Sequence, residues 1–240
     1  MHKKLLVSWL FLLSGLFLFS YMNISGDMSG VTLTSGTYYV TGDLFVNAGT
    51  TFSLNPGVVI KFDPGYQLTV EGTLNAIGLS TPKIYFTSLD DNTIGQTISG
   101  SDGDPDPGDW DGIYFNGIGA NEGICEMQYC QVKYGGSTTG TLLANISLEE
   151  SDSGYFQDGV SRFSENFGIL IYDCSPEISD SNIDNSGDAG IGIEDNCTSL
   201  ISGNDLSGNS TNGILINDSL SYPEVSGNTI DFNGYYPIVC

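Results

Sequence analysis

The sequence predicts an all-β fold, a right-handed parallel β-helix of about 22–24 residues per coil, and three observations carry that prediction. First, apolar anchors recur at a fixed interval. Ile169, Ile191, Ile214 and Ile238 are 22, 23 and 24 residues apart, and Ile178, Ile201 and Val225 are 23 and 24 apart. Second, apolar residues alternate over short runs (Ile169/Ile171, Ile191/Ile193, Ile214/Ile216) bounded by Asn, Asp, Ser and Gly, which suits short strands and not helices. Third, a unit this small cannot bury its apolar face alone. Stacking copies in parallel, roughly 4.8 Å apart, buries a continuous interior column.

The corners of the coils are written in Asn and Ser. Asn204 and Asn228 each follow their anchor by three residues, and Ser181 holds that place after Ile178. A polar side chain repeated at a turn can form a hydrogen-bonded ladder along the stack, and Asn also tolerates the left-handed backbone that a corner needs. Asn as an ordinary turn residue remains the alternative.

Met1–Lys4 is a short basic segment and Leu5–Phe19 an apolar run, so residues 1–25 read as an export signal, with an uncleaved anchor as the alternative because no A-x-A-like cleavage triplet follows. The chain is thus expected to be secreted or held at the cell surface. The β-helix is assigned to residues 31–240. Beyond the leader the cations are Lys61, Lys83, Lys133 and Arg162, against 29 acidic residues in the chain. That balance excludes nucleic acid and anionic lipid as partners.

The same period runs through the N-terminal half. Leu44 and Val46 recur 24 residues later as Leu68 and Val70, and Ile60 and Phe62 recur 24 later as Ile84 and Phe86, so coils begin by about residue 38. The next pair, Ile113 and Phe115, comes 45 after Leu68 and Val70, which places an acidic insertion at residues 89–109. Cys130 and Val132 follow as counterparts of Ile84 and Phe86. Between Tyr134 and Tyr155 the register is blurred, which predicts a second excursion. Loops that interrupt a solenoid on one side are where function is placed.

Within the insertion, Asp102, Asp104 and Asp106 alternate as ligands at positions 1, 3 and 5 of a calcium loop would, and Asp109 and Asp111 continue the cluster. The pattern is degenerate, with Gly108 and Ile113 where a calcium loop's Gly and Glu positions are not met. Ca²⁺ is the cofactor considered, against a solvated acidic loop.

Five cysteines in an exported chain suggest a disulfide. Cys174 and Cys197 each precede their anchor by four residues and so occupy the same place in neighbouring coils, at a spacing compatible with a bridge or with a ladder of buried thiols.

The run TTFSLNPGVVIKFDPGYQLTVEGTLNAIGLSTPKIYFTSLDD, then PGDWDGIYF, then YCQVKYGG, resembles exported right-handed β-helix repeat proteins of pectate-lyase-like fold. The resemblance covers residues 31–240. It implies a surface or secreted protein, often a segment of a longer adhesin-like chain, with enzymatic cousins that cleave acidic polysaccharides; it does not fix activity.

Catalysis finds few agents in this sequence. His2 is the one histidine and Arg162 the one arginine, so general-base chemistry and uronate binding lack their usual groups, and no catalytic residue is assigned. The reading is a non-catalytic carbohydrate-binding, surface-binding or adhesin-like solenoid, with a lyase or glycoside hydrolase as the alternative. Outward positions are Phe45, Thr69 and Tyr114 in one strand column and Lys61, Tyr85 and Gln131 in another. Tyr85, Tyr114 and Trp110 are the candidate sugar-stacking residues. At the C-terminus the coil that opens with Ile238 has no cap, which predicts either further coils or self-association at that end.

Overall fold

The computed structural model describes residues 21–117, 122–136, 143–151 and 154–240. Among these there is no helix, and so none long and apolar enough to cross a membrane. The apolar run Leu5–Phe19 lies outside the described residues.

The strands form a solenoid of three faces, each face a parallel sheet that gains one strand per coil. On the first face lie Val58–Phe62, Ile84–Ser88, Cys130–Lys133, Val160–Arg162, Asn182–Asp184, Asp205–Ser207 and Thr229–Asp231. The second carries Gln67–Val70, Gly112–Asn116, Ala144–Glu149, Phe167–Tyr172, Ile191–Glu194, Ile214–Ile216 and Ile238–Val239. The third runs from Thr32–Leu33 through Thr51–Leu54 and Thr73–Ile77 to Glu224–Ser226. The long strand Gly36–Val46 bends across the first corner: Tyr38 pairs with Ile60 on the first face and Leu44 with Leu68 on the second.

Most of the anticipated columns stack as the repeat requires. Leu44, Leu68 and Ile113 are in register, as are Val46, Val70 and Phe115, and Ile178, Ile201 and Val225. Ile169, Ile191, Ile214 and Ile238 form one row on the second face. These side chains face inward and, up to Ile216, form one buried core, because a sheet stacked on both flanks leaves its inner positions no water to meet.

Two expectations need correction. Ile60 pairs with Phe86 and Phe62 with Ser88, so the first-face register slips by two from the anticipated Ile60/Ile84 and Phe62/Phe86. The extra residues sit in the turn from Gly78 to Lys83, which Leu79 N–H closes on Pro82 O at 3.0 Å. From there the expected pairs hold, Ile84 with Cys130 and Phe86 with Val132. The solenoid also starts before the assigned residue 31: Met22–Asp27 pairs in parallel with Gly36–Val46. In the blurred stretch, Ala144–Glu149 takes a regular place on the second face between Gly112–Asn116 and Phe167–Tyr172; residues 137–142 and 152–153 lie outside the described residues.

The corner ladder is present, and there are two. At the corner between third and first faces, Ser181 N–H donates to Asn204 Oδ1 at 3.0 Å and Asn204 N–H to Asn228 Oδ1 at 2.8 Å. Between first and second faces, Ser186, Asn209 and Asn233 repeat the arrangement. The left-handed backbone falls on the residue before each ladder member: Asp180 and Gly203 at one corner, Asn185 and Gly208 at the other. Gly meets that requirement without strain, while Asp and Asn are the side chains that tolerate it best.

Candidate functional groove

The outer surface of the first face is where side chains gather. After the two-residue slip, one outward column runs Val59, Tyr85, Gln131, Val160, Asn182, and its neighbour runs through Tyr39, Lys61 and Thr87, with Lys133, Arg162 and Asp184 following in register. Lys61 therefore does not share a column with Tyr85, as expected from the sequence, but lies beside it.

The second column is covered by the acidic insertion, which lies flat on the face instead of projecting from it. Gln96 N–H donates to Thr37 Oγ1 at 3.0 Å, two coils back. Lys61 is fully buried although it points outward, and its Nζ donates to the backbone oxygen of Asp91 at 2.7 Å. Asp91, also fully buried, takes Lys133 Nζ at 2.5 Å and Thr87 Oγ1 at 2.8 Å on Oδ2, while Thr93 donates to Oδ1. Burial opposes the charge of Asp91, but hydrogen bonds from Lys133, Thr93 and Thr87 outweigh it and leave its pKa below the ordinary carboxylate value. Burial lowers the pKa of Lys61, only partly offset by Asp91. Further along the column Arg162 pairs with Asp184 at 2.6 Å.

The first column floors an open groove. One stretch, a cavity of about 340 Å³, is bounded by Pro82 and Lys83 on one side and by Ile94 of the insertion on the other, with Val59, Tyr85 and Gln131 beneath. It shares Ser80 and Lys83 with a second stretch of about 520 Å³, which continues past Tyr129, Asp158, Asp180, Asn182 and Asp205. Asp158 and Asp180 occupy the same corner place in successive coils, following the paired Gln157 and Ser179. Gln128 Nε2 holds Asp158 at 3.0 Å. The described ion pairs are those of Lys133 and Arg162, so Lys83 enters the groove without one. Donors, acceptors and two tyrosines thus line one elongated trough along the stack.

Of the residues singled out in the sequence, Tyr85 is in this groove. Trp110 is not available to a ligand: it is fully buried, stacks on Phe62 at 4.1 Å and 12°, and donates from Nε1 to Lys133 O at 2.8 Å. Burying an indole with its N–H satisfied makes it a core residue. Tyr114 lies on the second face, where its hydroxyl donates to Glu149; burial, then that bond and charge, push its pKa well up.

The five clustered aspartates, Asp102, Asp104, Asp106, Asp109 and Asp111, do not converge. Asp102 Oδ1 accepts from Asp104 N–H at 3.0 Å, and Asp109 Oδ2 from Asp106 N–H at 3.1 Å and Ser88 Oγ at 2.6 Å, so these carboxylates satisfy the loop's own donors. Asp111 directly precedes the next strand, its N–H bonded to Tyr66 O. Among the described residues no three His, Cys, Asp or Glu side chains are placed to hold a metal ion. Cys174 and Cys197 are neighbours, as expected, but both are free thiols, with Cys174 Sγ directed at Leu148 O and Cys197 Sγ at Glu194 O. Burial pushes Cys174 up to about 12.

Lys83, Tyr129, Asp158, Asp180 and Asp205 were not anticipated. A signal for two of them was present: Asp158 and Asp180 are 22 residues apart, one coil, at the left-handed corner position.

Comparison with known proteins agrees with this architecture. The profile of the right handed beta helix region matches residues 111–240, more than half of the chain. Protein bark beetle of Drosophila melanogaster is 34% identical over 75 residues, which is 31% of this chain and 2% of that protein, so the chain spans a small fraction of this relative's length. No solved structure matches the chain significantly. With its parallel three-faced stack and this match, the chain belongs to the right-handed β-helix family.

Proposed function

We propose that the chain is an exported, non-catalytic carbohydrate-binding β-helix protein that holds a neutral polysaccharide strand along the first-face groove. The observation that carries this reading is the pair of adjoining cavities sharing Ser80 and Lys83, which together make a trough long enough for several sugar units. Tyr85 and Tyr129 supply ring faces, the carboxylates of Asp158, Asp180 and Asp205 accept hydroxyl hydrogen bonds, and Gln131 and Asn182 both donate and accept. The large excess of acidic residues disfavours a polyuronate.

The test is a glycan array followed by calorimetry on the full chain and on Tyr85→Ala and Asp180→Ala. Binding of neutral glucans weakened about tenfold or more in each variant supports the reading. A chain that binds no glycan, or whose variants bind as well as the parent, contradicts it.

A second reading is glycoside hydrolysis, favoured by one observation: three carboxylates, Asp158, Asp180 and Asp205, line the same stretch of groove. Release of reducing ends from the glycans that bind, lost in Asp180→Asn, would select it over simple binding.

A further inference from the structure

The insertion contributes a wall of the groove through Ile94, yet its hold on the solenoid lies behind that wall, at Asp91. We propose that Asp91 is a positioning residue: its buried contacts with Lys61, Thr87 and Lys133 fasten the insertion as a strap, and the strap fixes Ile94 opposite Tyr85 and so sets the width of one end of the groove. This rests on the groove being the binding site, but the strap itself is tested separately.

The contacts come from three successive coils. Lys61, Thr87 and Lys133 stand on neighbouring strands, and one carboxylate with its own backbone oxygen satisfies all three. The chain then turns at once, because Thr93 N–H donates back to Asp91 Oδ1 at 3.1 Å, which delivers Ile94 to the groove three residues after the anchor. Gln96 bonded to Thr37 and Gly95 packed against Val59 fix the far side of the turn. A charged carboxylate wholly inside protein keeps its place only while its cationic and hydroxyl partners are present, and removing one partner leaves an uncompensated buried charge. Asp91 is thus the strap's ion-paired attachment, with Gln96 and the buried Ile98 holding it further on, and most of Ser99 to Asp106 is solvent-facing.

The charged groups around Asp91 divide by sign: the lysines favour its charged form, and the neighbouring carboxylates oppose it. Lys61 and Lys133 face it from the sheet, Tyr134 from the corner of the next strand, Asp90 from its own turn, and Asp109 from the end of the strap through Ser88. Acid neutralises the carboxylates and leaves two lysines buried without a counter-charge, so the strap loosens as pH falls.

Hydrogen exchange of the full chain, followed by mass spectrometry, tests this with Asp91→Asn and, as a second variant that keeps the carboxylate, Lys133→Met. Amides of residues 92–98 should exchange at least about tenfold faster in both variants, while those of the Ile191–Glu194 strand, several coils away, stay protected. In the parent the same amides should lose protection on acidification before that distant strand does. Neutral-glucan affinity should fall in Asp91→Asn although Asp91 does not line the groove, and Asp91→Glu should restore part of it. Unchanged exchange at residues 92–98 overturns the strap, as does equal loss of protection in the distant strand. Faster exchange at 92–98 in a chain that binds no glucan would leave the strap standing and remove the groove reading instead.

Discussion

Asn204 and Asn228 are joined along the axis of the stack: the Nδ2 of Asn204 donates to Oδ1 of Asn228 at 3.0 Å, across 24 residues of sequence. The same Asn204 donates to Ile178 O and accepts from Ser181 N–H, so one side chain ties three coils and satisfies backbone groups that the corner would otherwise leave unpaired. Asn204→Ala should therefore cost about 1–3 kcal/mol, the penalty of stranding buried polar groups. Denaturant unfolding measures it; a change within error would show that water replaces the ladder at no cost.

Trp110 gives a second prediction. Its ring fills the space under the end of the insertion against Phe62, and its N–H is bonded to Lys133 O. Trp110→Ala should lower stability by about 3–5 kcal/mol, as for other buried large-to-small changes. Once the segment bearing Trp9 is absent, Trp110 is the remaining tryptophan, so native emission should be blue-shifted and resistant to acrylamide. Red-shifted, readily quenched emission would place the ring on the surface.

The pH dependence has a defined sign. The folded-state pKa of Asp91 is depressed, so its contribution to stability is present above the ordinary carboxylate range near 4 and disappears as pH falls through the lower folded value. Lys61, whose folded pKa is also lowered, works the same way at the alkaline end: its charged form is disfavoured in the fold, so stability rises as pH passes through that lowered value toward the ordinary lysine pKa. Melting temperature should thus fall on acidification with a steeper slope in the parent than in Asp91→Asn. Parallel slopes would show that Asp91 takes no part.

Thiol labelling separates the cysteines. Cys125, Cys130, Cys174 and Cys197 are buried, with burial raising each thiol's pKa, whereas Cys240 is exposed. The native chain should react at Cys240 alone and the unfolded chain at all five without reductant. Three reactive thiols after unfolding, with a Cys174–Cys197 peptide in the digest, would establish the bridge instead.

Much of the fold was legible in the sequence, and the reason is physical. On the second face each coil repeats an apolar pair at inward sites that have no other way to be buried, so Leu44 to Ile113 and Ile169 to Ile238 could each be aligned by eye, while the link through Ile146 came only from the structure. The first face was harder because the apolar pairs Ile60/Phe62 and Ile84/Phe86 suggest a one-period alignment, whereas the turn from Gly78 to Lys83 shifts the register by two and sets Phe62 against Ser88. The groove was harder still. Lys61 looks like a surface residue by type and by strand parity, and its bond to Asp91 O in the insertion goes with its burial; Trp110, just before a strand, gives no parity signal and packs into the core on Phe62. Acidic spacing in that insertion suggested ligands, whereas its carboxylates turn out to bind the loop's own N–H groups and, at Asp91, Lys133, while the backbone oxygen of Asp91 takes Lys61.

The central functional claim is that the trough containing Tyr85, Lys83 and Asp180 is where a neutral glycan lies. Hydrogen-exchange footprinting of the full chain with and without a soluble neutral glucan oligosaccharide tests it directly. Protection should appear in peptides covering residues 80–85, 129–131, 158–160 and 180–182, which line the two cavities, and nowhere on the second face. Protection confined to the second face around Tyr114, or none at saturating glucan, would contradict the account.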